Sequence, residues 1–310
     1  MIRRVSLIGL GTMGPGIAAR LARSGVDVMA YDIVESVLKR AEDQITQADG
    51  VLDALGVHAP ASGQGKIRFT QVLVEALTDT DLVLENVPED ALIKASVYRD
   101  VEAIVDADVL IATDTSGIPI TTLQATLEHP GRFVGMHWSN PPHIVPMIEV
   151  IAGAQTRAEV VSTVSEFIRE MGLLPVLIKK DVPGFVENRV LYAMLREVVD
   201  LVERGVIDAE DMDTCVSWGI GFKTAVIGPM ALLDMAGLDI YRSVSSFLNE
   251  ELCTRANVSP LVAERHDEGR LGLKSGSGIY DYDLDAIPAL QRARADKLIA
   301  IRRVLESKGG

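Results

Sequence analysis

The feature that most restricts what this chain can fold into is a glycine turn set between an apolar strand and a helix. Val5–Gly9 reads as a short buried strand, and Gly9-Leu10-Gly11-Thr12-Met13-Gly14 fits the spacing G-x-G-x-x-G. Helical periodicity follows over Ile17–Arg23, Gly25 can stop that helix, and Val26–Tyr31 reads as a second strand ending at Asp32. Strand, helix and strand within about 30 residues form the unit of a parallel, doubly wound sheet. Gly9 permits the tight turn, Gly11 lets the backbone approach a pyrophosphate, and Gly14 lets helix and strand pack closely. The pyrophosphate charge then faces the N-terminus of the helix. Asp32 is placed to accept hydrogen bonds from the adenosine ribose hydroxyls. Its carboxylate repels a 2′-phosphate, so the expected cofactor is NAD rather than NADP. A plain turn with a capping Asp32 would account for the glycines alone, but not for their position between these elements.

Further strands are expected at Leu82–Glu85, Val109–Thr113, Phe133–Met136, Met147–Ile151 and near Pro175–Ile178, with helices at Ala91–Val105 and Arg157–Met171. The small, polar stretch Ala59–Gly65 reads as a surface loop. From about Pro183 onward helical periodicity takes over, in Val186–Glu203, Asp208–Trp218, Pro229–Leu248 and Pro288–Leu305. Asp181–Gly184 punctuates the change. The expected architecture is an α/β Rossmann-type doubly wound sheet over residues 1–183, followed by an all-helical domain over 184–310. No internal repeat or low-complexity segment is present.

Hydrophobic residues make up 48% of the 310, enough for a large core. With 30 basic against 44 acidic residues, the formal net charge of −14 gives no support to a nucleic-acid or anionic-membrane partner. The two cysteines, Cys215 and Cys253, make neither a disulfide framework nor a metal knuckle, so no metal is expected. The first residues run straight into a strand, where a secretory signal would place an apolar stretch and a cleavage site. No apolar run approaches the roughly 20 residues of a membrane helix. Together these point to the cytoplasm.

The next informative stretch is Gly135-Met136-His137-Trp138-Ser139-Asn140-Pro141-Pro142, followed by Met147-Ile148-Glu149-Val150. A histidine at a strand end and a glutamate on an adjacent strand can pair, the carboxylate orienting the imidazole and stabilising its charged form. A lone histidine can equally be structural, and the spacing leaves both readings open.

These segments, with Glu85-Asn86-Val87-Pro88-Glu89-Asp90, Thr113-Asp114-Thr115-Ser116, Pro183-Gly184-Phe185-Val186-Glu187-Asn188-Arg189 and Lys274-Ser275-Gly276-Ser277-Gly278-Ile279-Tyr280, resemble the 3-hydroxyacyl-CoA dehydrogenase family along nearly the whole chain. The resemblance implies that His137 is the general acid/base and Glu149 its partner. It implies that Ser116 and Asn188 hydrogen-bond the reacting oxygen or hold the histidine. Glu89, Lys94, Asn140 and Lys274 are implied to seat the nicotinamide half of NAD. Taken singly, Ser116 could cap a helix, Asn188 could bond locally and Lys94 could sit on a solvated face.

Two features turn the expected substrate away from a long acyl-CoA. CoA phosphates call for basic side chains, yet Ser36–Lys66 offers only Lys39, Arg40 and Lys66 beside Glu42, Asp43, Asp49 and Asp53. The family commonly has two aromatic residues after the histidine, where this chain has Trp138 and Ser139. Trp138 and His143 suit a small, flat, polar substrate at least as well as an acyl chain, although both could be packing residues. The stretches Met136–Ile151, Asp181–Glu203 and Cys215–Tyr241 resemble a branch of the family that oxidises a pyridine aldehyde to the carboxylate with NAD. A hydrated aldehyde is a gem-diol, so its oxidation is formally an alcohol oxidation and needs no cysteine nucleophile: His137 is expected to deprotonate an attacking water and then the diol while hydride moves to NAD. Competing readings are a dehydrogenase of a short hydroxy acid, a sugar acid or an acyl-CoA, and a non-enzymatic, crystallin-like protein that keeps the fold. The apolar positions Val190, Leu191, Met194, Val198 and Leu201, and the habit of the relatives, lead us to expect a homodimer, with part of that face core within one chain.

Overall fold

The computed structural model describes residues 2–307. Strand β1 (Arg4–Ile8) runs through the glycine turn into helix α1 (Gly14–Arg23), which starts with Pro15 in its first turn and stops before Gly25 at φ +83°. Strand β2 (Asp27–Tyr31), helix α2 (Glu35–Leu55), strand β3 (Ile67–Thr70) and helix α3 (Leu73–Leu77) follow. Then come β4 (Leu82–Glu85), α4 (Ala91–Glu102), β5 (Leu110–Thr113), α5 (Ile120–Gln124), β6 (Phe133–Trp138), β7 (Met147–Ile151), α6 (Ala158–Glu170) and β8 (Leu174–Ile178). Asp90 fixes the start of α4, its Oδ1 accepting from the backbone N–H groups of Leu92 and Ile93 at 2.8 and 3.0 Å.

All eight strands form one sheet in the order β3-β2-β1-β4-β5-β6-β7-β8. The pairings are parallel except β6 with β7, which is antiparallel. The reversal has a simple cause. Only residues 139–146 join β6 to β7, and a parallel crossover needs roughly a dozen or more. The chain order reverses between β1 and β4, the place where an open α/β sheet leaves a crevice beyond its strand ends.

Strand alternation divides the apolar residues between two cores. Val5, Leu7, Leu82, Leu84, Val134, Met136, Ile148 and Val150 face one way and pack with Ile17 and Leu21 of α1 and Val164 and Phe167 of α6. Ile8, Val83, Ile111, Phe133 and Ile151 face the other way, with Tyr98 of α4, Ile120 of α5 and Phe185. The sheet is therefore covered on both faces, which explains why its central strands read as apolar runs.

Met1–Arg189 forms one compact unit and Val190–Gly310 another. Residues 184–189, which sequence punctuation places after the boundary, stand in the first. Helix α7 (Glu187–Glu203) leads into the second unit, which holds α8 (Ala209–Thr214), a π-helical stretch at Cys215–Gly221, α9 (Phe222–Val226), α10 (Pro229–Ala236), α11 (Leu238–Glu251), α12 (Pro260–Asp267) and α13 (Ile287–Glu306). The expected helix Pro229–Leu248 is two helices, because Gly237 sits at φ +96° and ends the first. The expected helix ending at Trp218 runs into the π turns, where Gly219 and Gly221 weaken the regular pattern. At the start of α12, Glu203 Oε1 accepts from Leu261 N at 2.8 Å and Ser259 Oγ at 2.5 Å. Among the described residues no single helix is long and apolar enough to cross a membrane.

Candidate active site

His137 and Glu149 are direct partners across the antiparallel β6–β7 pair, so their side chains leave the sheet on the same face. His137 Nδ1 lies 2.8 Å from Glu149 Oε2, with both residues buried. The other carboxylate oxygen, Oε1, accepts from the backbone N–H groups of Val186 and Glu187, each at 3.0 Å. That approach depends on a strained turn. Gly184 is at φ +75° and Phe185, a residue with a full side chain, is at φ +50°. Gly184 N donates to Gly117 O at 3.1 Å and the Phe185 ring is fully buried, 5.7 Å from the imidazole. Packing thus holds a backbone geometry that delivers two donors to Glu149.

An ionised carboxylate can only accept, so the imidazole proton resides on Nδ1 and Nε2 is left with a lone pair. Burial pushes the His137 pKa down, but the Glu149 hydrogen bond and the charges of Asp114, Glu149 and Glu187 outweigh burial and leave it raised above 6.5. Burial alone would raise the Glu149 pKa. The His137 and backbone hydrogen bonds reverse that and lower it below 4.5. Asp114, whose Oδ1 accepts from Trp138 N at 2.7 Å, is pushed up to about 8 by burial. It is mostly protonated at neutral pH, so the glutamates carry the shift of His137 there.

Beside this pair stands a loop held by Glu89. Its Oε1 accepts from Thr115 Oγ1 at 2.7 Å, from Ser116 N and Gly117 N at 2.9 Å each, and from Ser116 Oγ at 3.3 Å. Burial opposes the charge of Glu89, but Thr115, Lys94 and the two backbone donors lower its pKa. Asn188 Nδ2 donates to Ser116 O at 2.7 Å, tying the start of α7 to that loop. Lys94 is not on a solvated helix face. It is 1% exposed, with Nζ 2.8 Å from Glu85 Oε1 and 3.5 Å from Glu89 Oε2. Glu85 is completed by Val87 N, Tyr98 OH and Thr113 Oγ1 at 2.7, 2.6 and 2.8 Å. Sequence reasoning missed this four-element network, because its members come from β4, α4, β5 and a loop and share no periodicity.

The crevice at the β1–β4 reversal fits a dinucleotide. Gly9 is at φ +98°, and a Cβ there would lie 2.7 Å from Asn86 O. A Cβ on Gly14 would lie 2.6 Å from Gly9 O, so both glycines are sterically required. Gly11 is different: a Cβ there meets nothing within 4 Å. The fold does not need that glycine, whereas a phosphate approaching the turn between Leu10, Thr12 and Met13 does. Asp32, at the end of β2, accepts from Leu10 N through Oδ2 and from Val34 N through Oδ1, both at 3.0 Å. Asn86 presents both amide atoms, buried and unpartnered, at the end of β4. The sequence places it in a segment that resembles the family but gives it no role, since nothing in a single Asn signals an orphaned amide.

Trp138 is not a substrate-facing ring. It is 2% exposed and, one residue from His137, points to the opposite face of the sheet, among Met136, Ile148 and Val150. His143 packs against α1, where a Cβ on Gly16 would meet its Nδ1 at 2.8 Å. Burial lowers its pKa to about 4, so it is neutral at pH 7. Asn140 is exposed, and its bond to Pro141 is cis. Lys274 belongs to the second unit, in an exposed turn between the bridged residues Gly272 and Ser277. Cys215 and Cys253 are unpaired and also stand in the second unit. Among the described residues, His137, Glu149 and Glu187 are the one group of such side chains close enough to surround a cation, their donor atoms lying within 4.8 Å of one another. The hydrogen bond that pairs His137 with Glu149 suits proton transfer instead.

Residues 4–182 match the 3-hydroxyacyl-CoA dehydrogenase NAD binding domain, and residues 184–282 match the C-terminal domain of the same family. The 5-formyl-3-hydroxy-2-methylpyridine 4-carboxylate 5-dehydrogenase of Mesorhizobium japonicum is 60% identical over 308 residues, covering 99% of this chain and 100% of that protein. A crystal structure of a 5-formyl-3-hydroxy-2-methylpyridine 4-carboxylic acid 5-dehydrogenase, described as an NAD+-dependent dismutase, matches with a TM-score of 0.97 at 60% identity, over 100% of both chains. The (S)-3-hydroxybutyryl-CoA dehydrogenase of Ralstonia eutropha matches with a TM-score of 0.70 at 31% identity, over 91% of this chain and 100% of that one.

Proposed function

The chain belongs to the 3-hydroxyacyl-CoA dehydrogenase family and is an NAD-dependent dehydrogenase, and from that premise we propose that it oxidises 5-formyl-3-hydroxy-2-methylpyridine-4-carboxylate to the 5-carboxylate. The observation that carries the mechanism is the buried His137–Glu149 pair at 2.8 Å, with His137 near the C-terminal end of β6, which lies at the same end of the sheet as the glycine turn after β1. Full-length identity of 60% to an enzyme of that name supports the substrate.

His137 takes a proton from the hydrated aldehyde through Nε2, while Glu149 fixes the tautomer and balances the imidazolium that forms. NAD, when bound, supplies the hydride acceptor. The turn Gly9–Gly14 would hold its pyrophosphate, Asp32 its adenosine ribose, and Asn86, Glu89, Lys94 and Asn140 its other half. Lys94 acts there chiefly by fixing Glu89, since its ammonium is shared with Glu85. Ser116 and Asn188 hydrogen-bond the reacting oxygen. The enzyme works as a cytoplasmic homodimer in vitamin B6 breakdown. The unpaired cysteines support that compartment, and exposed apolar helix faces support that assembly.

The test is turnover of the pyridine aldehyde with NAD in H₂¹⁸O. The expected outcome is NADH with label in the new carboxylate. His137→Ala should lower kcat by about 10²–10⁴-fold with NAD still bound, and Cys215→Ala with Cys253→Ala should leave turnover intact. Preference for 3-hydroxybutyryl-CoA over the aldehyde would overturn the substrate. Inactivity of a folded Cys215→Ala variant would point to a covalent thiol route.

A further inference from the structure

Oxidising an aldehyde to a carboxylate releases two protons: aldehyde, water and NAD+ give carboxylate, NADH and 2 H+. His137 can hold one of them. The structure places another carboxylate beside it that the steps above do not use. Glu187, the first residue of α7, lies within 4.8 Å of the donor atoms of both His137 and Glu149. Its position is fixed twice over. Its backbone N–H donates to Glu149 Oε1 at 3.0 Å, and its Oε1 accepts from Ser139 Oγ at 2.5 Å. Its other oxygen, Oε2, is buried and has no hydrogen-bond partner. A buried carboxylate oxygen without a donor is costly to maintain, and such groups in native proteins usually mark a functional atom or a water site. Ser139 holds one oxygen and leaves the other without a donor, in a carboxylate grouped with the imidazole and Glu149.

We propose that Glu187, in place of His137, activates the water: it is the second base of the reaction and accepts through Oε2 the proton of the water that adds to the aldehyde carbon. The water oxygen forms the new C–O bond, the carbonyl π pair moves to the carbonyl oxygen, and the water proton moves to Glu187. The resulting alkoxide takes up a solvent-derived proton, completing the gem-diol. His137 then removes one hydroxyl proton as the C–H electron pair leaves as hydride to NAD+. The carboxylic acid formed ionises, and Glu187 and His137 return their protons to solvent. This assignment rests on the aldehyde reading. Reduction of the same aldehyde by NADH adds no water, so it needs His137 as acid and has no use for a hydration base.

That asymmetry supplies the test. Oxidation and NADH-dependent reduction of the pyridine aldehyde are measured for the parent enzyme, Glu187→Gln and Ser139→Ala, with NAD affinity as the check on folding. Glu187→Gln should lower the ratio of oxidation to reduction by about 10²-fold, the effect of deleting one general base. Ser139→Ala leaves the carboxylate but frees it, so the ratio should fall less far. An equal loss in both directions would make Glu187 a support for His137 and overturn the proposal, as would an unchanged ratio. A parent enzyme that turns over no pyridine aldehyde sinks the substrate reading and this inference together. A parent that does so with an unchanged ratio in Glu187→Gln sinks the inference alone.

Discussion

At the scale of single residues, protonation is set by what surrounds each group. Glu149 accepts three hydrogen bonds and stays ionised, so His137 carries its proton on Nδ1 and its pKa is raised. A base must be neutral to act, so oxidation should fall as pH drops through a pKa above 6.5. Glu149→Gln removes the strongest influence raising that pKa and leaves burial, which lowers it. The acid limb of kcat/KM should therefore move to lower pH, while the plateau rate drops with the less basic imidazole. An unmoved limb would show that another group titrates. For stability, the raised His137 pKa gives a contribution complete below 6.5 and lost as pH rises through the folded value. The lowered Glu149 pKa gives one present above 4.5 and lost as pH falls through its folded value. The pair thus stabilises the fold most between those two pH values. Asp114 behaves oppositely, since burial raises it to about 8 and the folded chain prefers it protonated. Asp114→Asn should match the parent in Tm near pH 3.8 and exceed it by a margin that grows until about pH 8 and then levels off, as measured by thermal melts across that range.

At the scale of elements, the glycine turn separates what the fold needs from what the cofactor needs. Gly14→Ala puts a Cβ 2.6 Å from Gly9 O, so it should destabilise the protein by about 1–3 kcal/mol as well as weaken NAD binding. Gly11→Ala meets nothing within 4 Å, so Tm should hold while NAD affinity falls. Loss of Tm in Gly11→Ala would make that glycine structural. Asp32→Ala should relax discrimination against NADP. Equal use of NAD and NADP by the parent would sink the ribose assignment. The turn was legible because three constraints, strand, glycine spacing and terminal acid, coincide in one short stretch. Most strands were legible because two-sided burial makes them continuous apolar runs. Strand β3 was not, since Ile67–Thr70 is a half-exposed edge with a charge at Arg68. The antiparallel turn into β7 was legible only as a short connection. Trp138 stayed open between substrate contact and packing in the sequence, and its place in strand alternation decides for packing. Glu187 and Asn86 were hidden for a different reason: one oxygen or amide left without a partner depends on every neighbour, and no local pattern records it.

At the scale of the whole molecule, the two units differ in how they bury themselves. The first covers its sheet on both faces. In the second, α7, α9, α10, α11 and α12 contain no buried residue, although α7, α10 and α11 carry many large apolar side chains. Of the face expected on α7, Val190 and Leu191 are exposed while Met194, Val198 and Leu201 are half-buried. Trp218 and Phe222 stack with centroids 6.3 Å apart, yet stand 73% and 63% exposed, and Met230, Met235, Ile240 and Phe247 are each more than half exposed. Apolar surface on this scale is the kind that marks interaction sites, which supports the proposed homodimer. Covering a side chain of this size stabilises by roughly 1.5–3 kcal/mol, so a few such residues on each copy outweigh the cost of association, about 4–15 kcal/mol. Light scattering at micromolar concentration should give twice the mass of one chain. Trp218→Asp with Phe247→Asp should shift that mass toward the single chain and lower Tm, because the faces then meet water with no partner. A parent protein of single-chain mass at that concentration would refute the homodimer. A double variant that stays dimeric would place the contact on other helices of the second unit.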